Sequence, residues 1–303
     1  MKGAAPDPFP LPPYIQILSQ RHTMTSSPFR YLFGPVPSRR FGRSLGVDLT
    51  PMKTCSLDCI FCQLGHTPKT TITRREYVPT EEVIAELRRW QQDGGQTDFI
   101  TLSGSGEPTL HSRIGEVLRY IQQQMSFPSV LLSNGTLFGQ PEVREAAQAA
   151  DIVKLSLSAW DNESFGQVNR PHEGIDLEEM IEGMRTFRKA YTGKIWLEVF
   201  LIPGLNNSLR DIEQIVQKAK LIAPDAIHLN TAVRPPADAS VQPMTQEAME
   251  AIVPQFQPPA TIIAGFPKHS GIQIEANEDR ILNMLRRRPC TARQIADASC
   301  CLK

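Results

Sequence analysis

Three cysteines lie within eight residues of a chain that has 303 residues and six cysteines in all. They are Cys55, Cys59 and Cys62, with Phe61 immediately before the last. Deprotonated thiolates bind soft metals, so three of them on one short loop could hold a zinc ion or an iron–sulfur cluster. Three ligands are one short of four. Either His66 completes a structural Cys₃His zinc site, or one metal position stays open for chemistry.

Two further interpretations of the cysteines do not involve a metal. Free cysteine is often a small buried hydrophobe, and two of the three could form a disulfide that leaves a spare thiol. No secretory signal opens the sequence, which favours reduced thiols and a cytoplasmic protein. So tight a cluster of cysteines favours a metal site.

A second motif, Ser103–Leu110, follows the apolar run from Phe99 to Leu102, which predicts a buried strand. Its glycines allow the backbone to approach a ligand closely. Glu107, held rigid by the following proline at the end of a strand, is well placed to bind an ammonium group. A Gly-rich turn at a strand end is common, so this motif becomes specific only beside the three cysteines.

Together the two motifs resemble the radical S-adenosylmethionine (SAM) enzymes, whose signature is Cys-x₃-Cys-x₂-Cys with an aromatic residue before the last cysteine. The matching stretch runs from Cys55 to Cys62 and reads CSLDCIFC. The resemblance implies that Cys55, Cys59 and Cys62 bind three irons of a [4Fe–4S] cluster. It also implies that SAM chelates the fourth iron, and that the turn 106–108 binds the amino group of the same SAM molecule.

The same resemblance assigns further residues to the cofactor. Phe61 would flank the adenine, and polar residues at successive strand ends would contact the ribose, the methionine carboxylate and the adenine. Glu198, inside an apolar strand, is either a pocket carboxylate or a core acid with its own partner. The predicted cofactor-binding residues are Phe61, Gly104, Ser105, Gly106, Glu107, Ser133, Asn134, Ser156 and Glu198. Catalytic residues acting on the substrate are not assigned.

Within the superfamily, the chain is most similar to the uncharacterised bacterial and archaeal relatives of the wyosine-base synthase of tRNA. Four stretches support this narrower resemblance: 33–40, 103–110, 169–172 and 233–236. The activity implied is formation of a 5′-deoxyadenosyl radical that abstracts hydrogen from a substrate, with a tRNA base as one candidate. A flavodoxin- or ferredoxin-type electron donor is implied as well. His172 could relay a proton, or it could belong to an ordinary surface loop.

Overall charge gives no support to a nucleic-acid partner, because 32 basic residues balance 32 acidic ones. No apolar stretch approaches membrane-spanning length. Residues 38–75 contain seven Lys or Arg but only Asp48 and Asp58 as acids. An ordinary charged surface explains this patch, although Arg39, Arg40 or Arg43 could hold a phosphate or carboxylate.

Alternating apolar strands and amphipathic helices predict a parallel α/β sheet. Periodicity alone allows a partial barrel, a full barrel or an open doubly wound sheet. The resemblance implies the first, a partial (β/α)₆ TIM-like barrel of the radical SAM type. Predicted strands are 46–49, 97–103, 130–134, 152–158, 195–202 and 226–230. Predicted helices are 80–92, 111–124, 142–149, 177–190, 209–223 and 245–253.

Three regions are expected along the chain. Residues 1–28 are a flexible Pro-rich tail, 29–267 form the radical SAM core, and 268–303 form a short helical extension that resembles an incomplete winged helix. The extension is too short for a recognition helix and wing, so it does not indicate DNA binding. Its cysteines, Cys290, Cys300 and Cys301, fit no usual cluster spacing and are interpreted as incidental thiols.

Overall fold

Eight strands form one sheet whose spatial order follows the chain, from β1 to β8. The computed structural model describes residues 29–38, 40–265, 274–275 and 299–300. β1 pairs antiparallel with β2, and every later neighbouring pair is parallel. The strands are β1 Leu32–Ser38, β2 Gly42–Val47, β3 Phe99–Leu102, β4 Ser129–Leu132, β5 Ile152–Ser156, β6 Lys194–Phe200, β7 Ala226–Asn230 and β8 Thr261–Ile262. Two short strands, β9 Ile274–Glu275 and β10 Ser299–Cys300, pair parallel with each other.

Helices follow the strands β2 to β7, which gives six strand–helix units. The α-helices of the described residues are α1 Thr80–Gln92, α2 Ile114–Gln124, α3 Pro141–Ala147, α4 Asn162–Asn169, α5 Leu177–Ala190, α6 Leu209–Ile222 and α7 Gln246–Ile252. A doubly wound sheet would reverse its strand order, whereas this order advances in one direction with β1 and β8 at the edges. The fold is therefore the partial (β/α)₆ barrel that the family resemblance implied.

Alternation along the strands separates the helix-facing core from the barrel interior. On β5, Val153 and Leu155 are fully buried in the main hydrophobic cluster together with Phe187 of α5. Lys154 and Ser156 alternate with these two residues and lie on the opposite face of β5, toward the interior, where they line a cavity. The interior of this barrel is consequently polar at the level where β5 ends.

The sequence did not predict β1, α4, β8 or the short strands β9 and β10, which lie in the region 268–303 where only helices were expected. β1 contains Pro35 and carries a bulge between Phe33 and Val36, so it does not show the pattern of a regular strand. The ring of Phe33 lies against Gly46 of β2, where a Cβ atom would come within 2.1 Å of Phe33 Cζ. α4 has eight residues and begins with a capping box in which Asp161 and Ser164 bond each other's backbone N–H groups.

The predicted tail 1–28 lies outside the described residues, as do Arg39, Cys290, Cys301 and the helices expected beyond residue 268. Among the helices that the structure does describe, none combines the length and the apolar character needed to cross a membrane.

Candidate functional site

The cysteine loop follows β2 and lies against the chain segment that leaves α4. The backbone N–H of Asp58 donates to the carbonyl oxygen of Asn169 at 3.1 Å, and Ile60 N–H donates to Val168 O at the same distance. Leu57 also forms an isolated antiparallel bridge with Pro171. Residues 168–172 thus hold the loop in place through their backbone. They include the stretch 169–172, which supported the narrower family resemblance.

The Gly-rich turn packs against the other side of the same loop. Lys53 N–H donates to Ser105 O at 2.7 Å, and Glu107 N–H donates to Thr54 O at 2.9 Å. A Cβ atom on Gly106 would lie 1.9 Å from Thr54 O, so only glycine permits this approach. The two motifs that were predicted to share one site are therefore in direct contact.

Two residues of this turn that were predicted to bind the cofactor, Gly104 and Ser105, lie against Asp48. Ser105 donates to the Asp48 carboxylate from its backbone N–H at 3.0 Å and from its hydroxyl at 2.6 Å. Gly104 has a φ of +149°, and a Cβ atom there would lie 2.3 Å from the Asp48 carboxyl carbon. Ser105 thus fixes the turn, while Gly104 lines the cavities described below.

Burial favours the neutral form of two of the three thiols, those of Cys55 and Cys59. Burial, reinforced by the negative charge of Glu107, raises the pKa of Cys55 to about 12. Burial also raises the pKa of Cys59, with smaller contributions from the neighbouring thiols of Cys55 and Cys62. Metal binding must therefore displace protons from the thiols of Cys55 and Cys59. Side-chain nitrogens already face two of the sulfurs: Lys53 Nζ lies 3.1 Å from Cys62 Sγ, and Asn169 Nδ2 lies 3.2 Å from Cys59 Sγ.

Glu107 is buried, with 3% of its surface exposed. Its Oε1 accepts hydrogen bonds from Thr109 N–H at 3.1 Å, the Thr109 hydroxyl at 2.6 Å and the Ser133 hydroxyl at 2.7 Å, whereas Oε2 accepts only Asn134 N–H at 2.8 Å among the described residues. Burial raises the pKa of Glu107 despite these four bonds. The described part of the chain gives Glu107 no ion pair, so a bound ammonium group at Oε2 would supply the missing positive charge.

Two adjoining cavities open beside this network. The outer cavity, of about 290 Å³, includes Phe61, Cys62, Ser156 and Phe200 in its wall. The rings of Phe61 and Phe200 stack with their centroids 4.0 Å apart. The inner cavity, of about 280 Å³, lies within the barrel beneath the β1–β2 hairpin. Shared wall residues are Gln63, Gly104, Glu198 and Asn230.

Glu198 is the centre of a charged cluster between the two cavities. Its carboxylate lies 2.7 Å from Lys154 Nζ and 3.0 Å from Arg40 Nη1, and it accepts a hydrogen bond from Asn230 Nδ2 at 2.6 Å. Burial opposes ionisation of Glu198, but the cations of Arg40 and Lys154 hold its pKa well below the usual range. Both interpretations of Glu198 thus apply, since it lines the pocket and has its own partners.

Several other predicted residues are engaged elsewhere. Arg43 pairs with Asp98 at 3.2 Å beside the start of β3, away from the cysteine loop. His66 is exposed and lies 3.3 Å from Asp58. His172 Nδ1 accepts a hydrogen bond from Gly174 N–H. In the described residues no three His, Cys, Asp or Glu side chains converge on one metal-ion position.

The sequence assigned no role in the site to Lys53 or Lys154, although both contribute to it. Lys154 had one usable signal, because a lysine inside the apolar strand 152–156 requires a buried partner. That partner comes from β6, where Glu198 pairs in register with Ser156.

Comparison with known proteins supports the resemblance to radical SAM enzymes. The model of the radical SAM superfamily matches residues 49–219. A protein of Brachyspira hyodysenteriae named GTPase Obg is 34% identical over 92% of this chain, and the chain spans 42% of that protein's length. A UPF0026 protein of Methanocaldococcus jannaschii is 31% identical over 74% of this chain and 70% of its own length. A probable dual-specificity RNA methyltransferase of Acholeplasma laidlawii is 22% identical over 64% of this chain and 56% of its own length.

Among solved structures, a radical SAM methyltransferase from Sphaerobacter thermophilus has a TM-score of 0.57 at 17% identity, covering 75% of this chain and 67% of the other. This likeness supports the fold alone. The match over residues 49–219 agrees with the cysteine signature, with the Gly-rich turn that contacts it and with the partial barrel. The chain belongs to the radical SAM superfamily and, within it, to the UPF0026 proteins.

Proposed function

We propose that this protein is a radical SAM enzyme. Cys55, Cys59 and Cys62 bind three irons of a [4Fe–4S] cluster, and SAM binds the fourth iron from the outer cavity. The observation that supports this most strongly is the buried carboxylate of Glu107, which has no cationic partner among the described residues. Asn134 links it to the cysteine loop, because Asn134 N–H binds Glu107 and Asn134 Nδ2 binds Ser56 at 2.9 Å.

When bound, the reduced cluster would give one electron to SAM, whose C5′–S bond would break to leave methionine and a 5′-deoxyadenosyl radical able to take a hydrogen atom from the substrate. The protein binds and orients the cluster, SAM and the substrate, and it excludes water from them. Glu107 holds the amino group of SAM, and the stack of Phe61 on Phe200 flanks the adenine. Ser156, which accepts a hydrogen bond from Lys154 at 3.1 Å, lines the same cavity. The electron comes from a flavodoxin- or ferredoxin-type donor.

The inner cavity is the proposed substrate site, because it shares a wall with the outer cavity and lies within the barrel. Its lining offers hydrogen-bond donors from Arg40, Asn230 and Arg234. Enzymes that modify a nucleobase draw it out of the stack into an active-site pocket. The RNA methyltransferase relative favours RNA, and a tRNA base is the proposed substrate. The narrower relationship to the wyosine-base synthase stays a prediction.

The radical reaction is tested by supplying the anaerobically reconstituted protein with dithionite and SAM and measuring 5′-deoxyadenosine by mass spectrometry. We expect 5′-deoxyadenosine from the wild-type protein and none from Cys59→Ala. Formation of 5′-deoxyadenosine by Cys59→Ala at the wild-type rate would refute the assignment of the cysteines.

The substrate is tested separately with total tRNA from a strain that lacks this protein. Digestion to nucleosides after the reaction should reveal one nucleoside whose mass changes only when SAM and dithionite are both present. Unchanged tRNA alongside abundant 5′-deoxyadenosine would exclude the tRNA base and leave the radical reaction standing.

A further inference from the structure

Lys53 adopts a backbone conformation that lysine rarely takes. Its φ is +61°, in the left-handed region where glycine or asparagine is less strained. The hydrogen bond from its backbone N–H to Ser105 O at 2.7 Å fixes this turn against the Gly-rich motif, and glycine could make the same bond. A lysine at a strained position of the site indicates that its side chain supplies something that glycine lacks.

The side chain of Lys53 is directed at a cysteine of the metal-binding loop. Lys53 Nζ lies 3.1 Å from Cys62 Sγ, and among the described residues it forms no ion pair with an Asp or Glu. The ammonium group is therefore committed to the sulfur side of the loop.

Asn169 approaches a second cysteine from the opposite segment. It is 5% exposed, and its Nδ2 lies 3.2 Å from Cys59 Sγ. Its Oδ1 is buried without a hydrogen-bond partner in the part of the chain that the structure describes. An ionised sulfur only accepts hydrogen bonds, so the amide must present its N–H edge to a metal-bound Cys59 even though Oδ1 is left unsatisfied.

Hydrogen bonds and positive charge at ligand sulfurs stabilise the added negative charge of a reduced iron–sulfur cluster, which raises its reduction potential. Asn134 approaches the third sulfur less closely, with Nδ2 3.7 Å from Cys55 Sγ and 2.9 Å from Ser56 Oγ. Lys53 at Cys62 and Asn169 at Cys59 are thus the short side-chain contacts to the sulfurs, while the backbone N–H of Leu57 donates to Cys55.

We propose that Lys53 and Asn169 are positioning residues that raise the reduction potential of the cluster through the sulfur atoms of Cys62 and Cys59. This inference rests on the proposed function, since it needs the cluster. It assigns a purpose to the strained lysine and to the first residue of the 169–172 segment, and it makes the cluster easier for a protein donor to reduce.

The test is an anaerobic redox titration of the reconstituted protein, followed by the electron paramagnetic resonance signal of the reduced cluster. Lys53→Met and Asn169→Ala should each lower the reduced-to-oxidised ratio at a fixed potential at least tenfold, which equals about 59 mV for one electron. Lys53→Arg should retain most of the wild-type potential. The exposed Lys69 provides the matched control, and Lys69→Met should leave the midpoint unchanged.

Lys53→Gly separates tuning from folding. Relief of the left-handed strain should leave the urea midpoint of the metal-free protein at or above the wild-type value, while the reduction potential falls as far as in Lys53→Met. Asn169→Ser and Lys53→Gly replace the first variants if those retain less iron. Wild-type potentials in the Lys53 and Asn169 variants, with cluster and 5′-deoxyadenosine intact, would overturn this inference alone. A wild-type protein that binds no cluster would overturn the proposed function as well.

Discussion

Replacement of Glu107 by glutamine tests the network that joins the Gly-rich turn to the end of β4. Each carboxylate oxygen of Glu107 accepts one backbone N–H, Oε1 from Thr109 and Oε2 from Asn134. Glutamine keeps the size of the side chain but turns one oxygen into an NH₂ group. Whichever way the amide is oriented, one buried backbone N–H then faces a donor.

An unsatisfied buried donor costs about 1–3 kcal/mol. Because burial raises the pKa of Glu107, removal of its charge offsets part of this cost, and we expect Glu107→Gln to lose about 1–2 kcal/mol. The assay is urea unfolding of the metal-free protein at neutral pH, followed by circular dichroism. The midpoint should fall at constant slope, and the exposed Glu163 provides the control variant Glu163→Gln.

The same variant tests cofactor binding. Loss of a hydrogen bond to a charged group removes about 1.5–3 kcal/mol, so the dissociation constant of SAM should rise about 10- to 150-fold while the iron content stays at the wild-type value. An unchanged urea midpoint would refute the network, and unchanged SAM affinity would refute the role of Glu107 in binding the ammonium group.

Three further predictions concern charged side chains. Glu198→Gln leaves the buried Lys154 and the partly buried Arg40 without a counter-charge and should destabilise the protein by about 3–5 kcal/mol in urea unfolding; adding Lys154→Met should recover part of this loss, and no recovery would contradict the pairing. Burial, with the nearby cation of Arg40, lowers the pKa of His228 to about 4. Because His228 is kept neutral in the folded protein, its contribution to stability is complete above about pH 6.5 and declines by up to about 3 kcal/mol as the pH falls to about 4; acid unfolding of His228→Gln should lack this part of the slope, and an identical slope would refute it. His66→Ala should retain wild-type iron, since His66 faces Asp58, and loss of the metal from this variant would favour a Cys₃His shell.

The sequence alone was sufficient to predict the helices whose apolar residues recur with a clear period. The predicted bounds 80–92 and 177–190 coincide with α1 and α5, whose apolar residues recur at helical spacing. The predicted start of α6 is confirmed as well, because Ser208 and Asp211 form a capping box. β1 was missed because its prolines and bulge remove the alternation on which strand prediction depends.

The contact between the cysteine loop and the Gly-rich turn was predictable, because both motifs follow strands that are parallel neighbours. The partners of Glu198 were not predictable, since Lys154 meets it through the register of β5 with β6 and Arg40 reaches it from the β1–β2 connection. The left-handed conformation of Lys53 likewise has no local signal, because it arises from the packing of one turn against another.

The central claim is that three cysteines hold an iron–sulfur cluster with one iron open to SAM. The most direct measurement is an iron, sulfide and zinc analysis of the anaerobically reconstituted protein, together with the electron paramagnetic resonance spectrum of its reduced form with and without SAM. We expect about four irons and four sulfides per chain, a spectrum that changes when SAM is added, and loss of both in Cys59→Ala. Stoichiometric zinc without sulfide would contradict this claim, and so would a reduced cluster whose spectrum stays the same when SAM is added.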